Sequence, residues 1–173
     1  MQLVIEKDEL RRALAEKHGA RIRCRSFRTG LESLDNIAPN GEFQGGAVHE
    51  LLWPQEPTHP KSLALLFARA ATKNGGAIAW SDPTRELHLP ALAASRISLR
   101  RLLLLRSESR ADQLWALAEC LRCRGVCAAV AFIPRLSQIE ARRLQLAAER
   151  VGFAVGDGSL VVTRVHTLTA IRA

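Results

Sequence analysis

Apolar and polar positions divide the chain into segments whose period switches between about 3.6 and two, the marks of helix and strand. Residues 4–18 place Val4, Leu10, Ala13 and Leu14 among charges, which predicts a surface helix ending near Gly19. Over residues 19–28, Arg21, Arg23 and Arg25 alternate with Ile22, Cys24 and Ser26, predicting a strand or extended arm with one cationic face. A turn and a short helix follow at residues 29–35, with Leu31 and Leu34 on one side, and Gly45-Gly46 then delivers the chain into residues 47–72. That run is the pivot: an apolar strand, a short loop, and a helix apolar almost all round.

After Gly75-Gly76 comes a second short strand ending at Asp82, then a loop opened by Pro83, a helix at residues 90–96 and a third strand at 101–106. Residues 109–124 predict a helix with Leu114, Leu117, Ala118 and Leu121 on one face, closed by Gly125. Residues 126–133 read as a fourth buried strand. The next helix opens with the capping-box pair Ser137 and Glu140, turning Leu144, Ala148 and Val151 inward and Arg142, Gln145 and Glu149 to solvent. The C-terminal piece reads as strand, Gly-Asp-Gly turn, strand. Apolar strands alternating with helices and ending in a hairpin predict an α/β fold, a mainly parallel sheet flanked by helices with an antiparallel C-terminal edge. The expected organisation is an N-terminal helix over residues 1–19 and a single domain over 20–173.

The pivot has the layout of a phosphate-binding loop, in which backbone N–H groups of a glycine-rich turn face phosphates and a Lys-Ser/Thr pair opens the helix. Lys61-Ser62 occupies the place of that pair, but the loop from Trp53 to Pro60 holds no glycine, and Pro54, Pro57 and Pro60 have no amide hydrogen. A phosphate nest needs consecutive donors and positive φ angles, which proline forbids. Each charge-assisted hydrogen bond contributes roughly 1.5–3 kcal/mol, so three absent donors remove most of the affinity such a loop can offer. The loop is expected to be a rigid connector with Pro60 in the first helical turn.

Composition changes the picture mainly through charge. The 25 basic residues against 17 acidic ones give a net +8, and nearly all the cations are arginine. Arginine suits phosphates and carboxylates bidentately, which makes nucleic acid or an acidic protein surface a candidate partner, although a GC-rich genome produces the same bias. Neither a signal peptide nor an apolar run of membrane-spanning length is visible, so a cytoplasmic protein without membrane contact is expected. Cys120, Cys123 and Cys127 cluster, but the first two fall on a predicted helix and the third opens a strand, as expected of buried small side chains rather than a metal site.

Thr29-Gly30 with Leu34-Asp35, then Gly45-Gly46, Glu50 on the strand and Lys61-Ser62 at the helix start resemble the opening of a RecA-like P-loop NTPase core. Within that superfamily the chain is similar to the ImuA family, accessory proteins of SOS mutagenesis related to RecA and to the division inhibitor SulA. The likeness is carried by Val48-His49-Glu50-Leu51-Leu52, by residues 114–119, by Leu121-Arg122 with Gly125-Val126-Cys127, and most specifically by residues 142–149, covering about 28–152 together. It implies a RecA-like fold used for protein contacts in a translesion-synthesis assembly. The implied partners are an ImuB-type inactive polymerase homologue, an error-prone polymerase and, as a further candidate, RecA, while DNA stays a candidate on charge.

Departures from an active enzyme extend past the loop. The fourth strand carries no acid to hold Mg²⁺, a required element of phosphoryl transfer. Asp82 and Glu86 follow the second strand, where a cap or turn role competes with that of a water-orienting acid. His49-Glu50 has no nearby nucleophile. No catalytic residue, metal or cofactor is therefore expected, and Lys61 and Ser62 remain as a nucleotide-binding remnant. Arg21, Arg23, Arg25, Trp53 and Trp115 are the candidate partner or nucleic-acid contacts, since Trp and Arg are favoured interface anchors. A SulA-like division inhibitor and a working RecA-family DNA-dependent ATPase stay open as alternatives, as does self-association.

Overall fold

The computed structural model of the protein describes residues 2–4, 6–17, 26–53, 60–133, 136–152 and 159–165. In chain order these form β1 (Gln2–Val4), α1 (Lys7–Lys17), β2 (Ser26–Phe27), α2 (Glu32–Asp35), β3 (Phe43–Gln44), β4 (Val48–Trp53) and α3 (Pro60–Ala71). Then follow β5 (Ala77–Ser81), α4 (Leu89–Ala94), β6 (Leu102–Leu105), α5 (Arg110–Arg122), β7 (Val126–Phe132), α6 (Gln138–Gly152) and β8 (Ser159–Val165). The main sheet is parallel with strand order β1-β6-β5-β7-β8-β4, and β2 pairs antiparallel with β3 in a separate two-stranded ladder.

Alternation along each central strand sorts the side chains into two cores. Ala77, Ala79, Leu103, Leu105, Ala129 and Ala131 face α1, α5 and α6, whereas Ile78, Trp80, Leu102, Leu104, Ala128 and Val130 face α3 and α4. That two-sided burial is why these strands read as unbroken apolar runs. Small residues dominate the first face, letting three helices approach closely. Gly125 is part of that fit, because a Cβ there would collide with the Lys17 carbonyl at the end of α1.

The α/β character expected from sequence is what the fold shows, with five differences of detail. Val4 belongs to β1, which pairs with β6, and α1 begins only at Lys7; three residues are too few for a period to register. The strand expected at an antiparallel C-terminal edge is instead β8, parallel to both neighbours and lying between β7 and β4. The crossover through α6 returns the chain to the same end of the sheet, so the next strand must run parallel. The Gly-Asp-Gly turn and the strand before it lie outside the described residues.

The inward face of α5 is centred on Gln113, Ala116, Leu117, Cys120 and Leu121, leaving Leu114 and Ala118 half-buried at its margin. Gln113 is tolerated inside because its amide donates to Ser81 Oγ at 2.9 Å. On α6, Gln145 is not simply solvent-facing: its side-chain oxygen accepts from Val48 N at 2.9 Å, tying the helix to β4. On α2, Leu34 packs against the core while Leu31 is exposed.

Among the described residues no helix is long and apolar enough to cross a membrane. Phe67, fully buried in α3, anchors an aromatic group with Phe27 and Phe43 at centroid distances of 5.8 and 4.6 Å. It joins β2 and β3 to the main core. Phe67→Ala is expected to lower unfolding free energy by about 3–5 kcal/mol in denaturant titrations.

Candidate functional site

The pivot places its remnant at the C-terminal end of β4, where α3 starts at Pro60 as expected. Residues 54–59, with Pro54 and Pro57, lie outside the described residues, as do Arg21, Arg23 and Arg25, and nothing is described of the Trp53 side chain at the end of β4. Lys61 and Ser62 are exposed on the first turn of α3. The Lys61 ammonium donates to Glu86 Oε2 at 2.7 Å. With 46% and 61% of the two side chains exposed, solvent screens the pair and it adds little to stability. It does hold a carboxylate where a phosphate would otherwise meet the lysine, and that hydrogen bond keeps Glu86 below its ordinary pKa.

Asp82 is buried, and its Oδ1 accepts from the backbone N–H groups of Glu86 at 2.8 Å and Leu87 at 3.2 Å. Both acids after β5 are thus engaged, Asp82 in fixing the turn and Glu86 in pairing Lys61. Asp35 plays a comparable part in the Thr-Gly box: it accepts from Thr29 N and Thr29 Oγ1, each at 2.7 Å, and from Gly30 N at 3.1 Å. Burial pulls its pKa upward, but those bonds and the Arg28 charge outweigh burial and leave it below the ordinary aspartate value.

His49 is also structural. Its ring donates from Nε2 to the Gln44 carbonyl at 2.8 Å and lies edge-on to Phe27 and Phe43, and burial pushes it below the usual histidine value against that hydrogen bond. Cys120, Cys123 and Cys127 are buried, with burial raising the Cys120 and Cys123 thiols. Among the described residues no group of three His, Cys, Asp or Glu is placed to hold a metal.

Trp115 lies beside two cations. It is half-buried on α5, with Lys7 Nζ and the Arg11 guanidinium carbon each 5.5 Å from its ring centroid. These cation–π contacts hold the indole between two grooves. One, of about 340 Å³, runs along α1 and the end of β6 and is lined by Arg106, whose Nε is buried with no hydrogen-bond partner among the described residues. The other, of about 540 Å³, lies between α5 and α6, with Leu114, Trp115 and Leu144 as its apolar wall and Arg110, Arg122 and Arg143 at its rim. Sequence reasoning singled out Trp115 but none of the cations around it, because Lys7, Arg106 and Arg143 come from separate elements and share no local pattern.

Glu140 closes the groove's end and bridges the two helices. It accepts from Arg110 Nη2 at 2.9 Å and Arg110 Nε at 3.3 Å, and from Ser137 N at 2.8 Å in the expected capping box. The Arg110 hydrogen bonds, followed by those from Ser137, hold its carboxyl down at about 2.

Comparison with known proteins places this geometry in context. No family model matches the chain. It is 33% identical over 132 residues to Protein ImuA of Caulobacter vibrioides strain NA1000, a match covering 73% of this chain and 54% of that protein. The same figures hold for Protein ImuA of strain ATCC 19089. The chain therefore spans about half the length of the curated relatives it matches. Among solved structures it is similar to SulA from Pseudomonas aeruginosa, with a TM-score of 0.54 and 21% identity over 69% of this chain and 98% of SulA. It is also similar to the RadB recombinase, with a TM-score of 0.58 and 15% identity over 83% of this chain and 72% of RadB. These two likenesses establish a RecA-like fold.

Because Glu140 ionises at about 2 when folded against an ordinary 4.5, its bonds stabilise the native state fully above pH 4.5. That contribution is lost as pH falls toward 2. Glu140→Gln is expected to flatten the acid limb of stability between those values in guanidinium melts, and an unchanged limb contradicts the assignment.

Proposed function

Since the chain belongs to the ImuA family, we propose that it is a non-catalytic RecA-like adaptor in DNA-damage-induced translesion synthesis. It acts through protein contacts with the mutagenic polymerase assembly, an ImuB-type inactive polymerase homologue and an error-prone polymerase, with RecA and DNA as further partners. The observation that carries this reading is Trp115, an aromatic anchor between two grooves and ringed by cations. A half-buried indole with a charged rim is the composition of an interface hot spot. The unpartnered Arg106 Nε supports the same reading, since a buried donor without an acceptor costs roughly 1–3 kcal/mol until a partner supplies one. Arg21, Arg23, Arg25 and Trp53 are proposed as further contacts from their chemistry alone.

The non-catalytic part rests on chemistry already described. Three prolines remove donors from the loop, β7 holds no acid, and Glu86 competes for Lys61. The nucleotide remnant Lys61-Ser62 then serves as the start of α3 rather than as a phosphate clamp, and no cofactor is required.

Trp115→Ala is expected to weaken binding to an ImuB-type partner by about 2 kcal/mol or more, roughly thirtyfold in Kd, with the circular dichroism spectrum unchanged. Wild-type affinity in that variant removes Trp115 from the interface. Titration of Mg-ATP into the purified protein is expected to release no heat up to millimolar nucleotide, and micromolar binding abolished by Lys61→Ala would restore the ATPase alternative.

A further inference from the structure

A second polar cavity lies at the opposite end of α3 from the pivot. The helix has 12 residues, so its ends are about 18 Å apart, and the cavity gathers around its C-terminus and the N-terminal ends of β5 and β6. It measures about 520 Å³, and its lining includes Arg28, Arg69, Lys73, Arg96 and Arg101 but no carboxylate. Ile78 and Ile97, both buried, form an apolar floor.

Arg28 has a distant match in Asp35, 3.9 Å from its Nε. Among the described residues the side chains of Arg69, Lys73, Arg96 and Arg101 form no ion pair or hydrogen bond. The bland account is that these cations offset the negative ends of α3 and α4, which both finish beside the cavity. Each helix end supplies only about half a charge, and a helix as short as α4 no more than that. Four unpaired cations against about one negative charge leave a surplus of about three. In a concave site with low-dielectric walls such a surplus concentrates anions.

Backbone strain sharpens the case. Arg96 adopts φ 61°, a left-handed conformation that L side chains other than Asn and Asp rarely take. Glycine would satisfy that turn without strain. The position instead carries an arginine that lines the cavity, as expected where a side chain is needed in spite of its backbone.

We infer that this cavity is an anion site that binds clustered phosphate groups, separate from the pivot loop, and that it stands whether or not the adaptor reading holds. The guanidinium groups of Arg69, Arg96 and Arg101 suit adjacent phosphates bidentately, and the Lys73 ammonium adds a point charge. With no aromatic or acidic side chain in the lining to read a base or a ribose, recognition is of phosphate alone. The phosphates come either from a free oligophosphate or from a nucleic-acid backbone, toward which the net charge of +8 steers the protein.

The test is calorimetric titration of tripolyphosphate at low ionic strength, paired with fluorescence anisotropy of a labelled single-stranded oligonucleotide. Arg69→Ala with Arg101→Ala, both on exposed residues, is expected to lower affinity at least roughly tenfold for whichever probe is the source. An effect on tripolyphosphate alone identifies a free oligophosphate, and an effect on the oligonucleotide identifies a backbone. Arg12→Ala with Arg142→Ala removes the same charge elsewhere and is expected to change neither. Arg96→Gly is expected to lower affinity while keeping or raising Tm. The inference is overturned if neither probe binds up to millimolar concentration, if the control pair loses as much, or if Lys61→Ala abolishes binding. Unchanged affinity in Arg96→Gly overturns the part assigned to Arg96.

Discussion

Two-sided burial of β5, β6 and β7 is the constraint on which the rest of the molecule depends. A parallel sheet has no wet face, so every helix in the described chain is obliged to cover one side or the other. Alanine-rich positions on one face admit α1, α5 and α6 at close range, and the bulkier Ile78, Trp80, Leu102 and Leu104 on the other receive α3 and α4. Parallel connection also gives the molecule two chemically distinct ends. The pivot and the Trp115 region lie toward the C-terminal ends of strands, and the cationic cavity lies at the N-terminal ends.

Charge follows from the same arrangement. Acids are the minority, and several of them are committed to structure: Asp35 to the Thr-Gly turn, Asp82 to the loop after β5, Glu86 to Lys61, Glu140 to the cap of α6 and to Arg110. What remains unmatched is largely arginine, and it gathers where elements meet. A surface whose acids are used internally presents cations outward, whatever the source of the arginine bias. This is why the groove between α5 and α6 and the cavity behind α3 have basic rims.

Most of the architecture was legible because the apolar runs are long and the punctuation is strong. The spans of α3, α5, β5, β6 and β7 were evident to within a residue or two, and the Ser137–Glu140 capping box forms as its spacing requires. Short or doubly covered pieces were not legible. Strand β1 has too few residues to show a period, and β8 looked like half of a hairpin because a glycine pair nearby outweighed a crossover that only the sheet enforces. The burial of Gln113 was hidden because its partner, Ser81, is distant in sequence.

What the sequence determined by itself was therefore what covalent chemistry and local period decide: alternating helices and strands, proline in place of loop donors, no acid on the fourth strand, and an excess of arginine. The tertiary structure alone decided which charges meet. Lys61 reaches Glu86, Trp115 is held by Lys7 and Arg11, and Arg28, Arg69, Lys73, Arg96 and Arg101 converge on one cavity. The reason is physical: local propensity acts over a few residues, whereas a site is made where strand order brings distant segments to the same edge of a sheet.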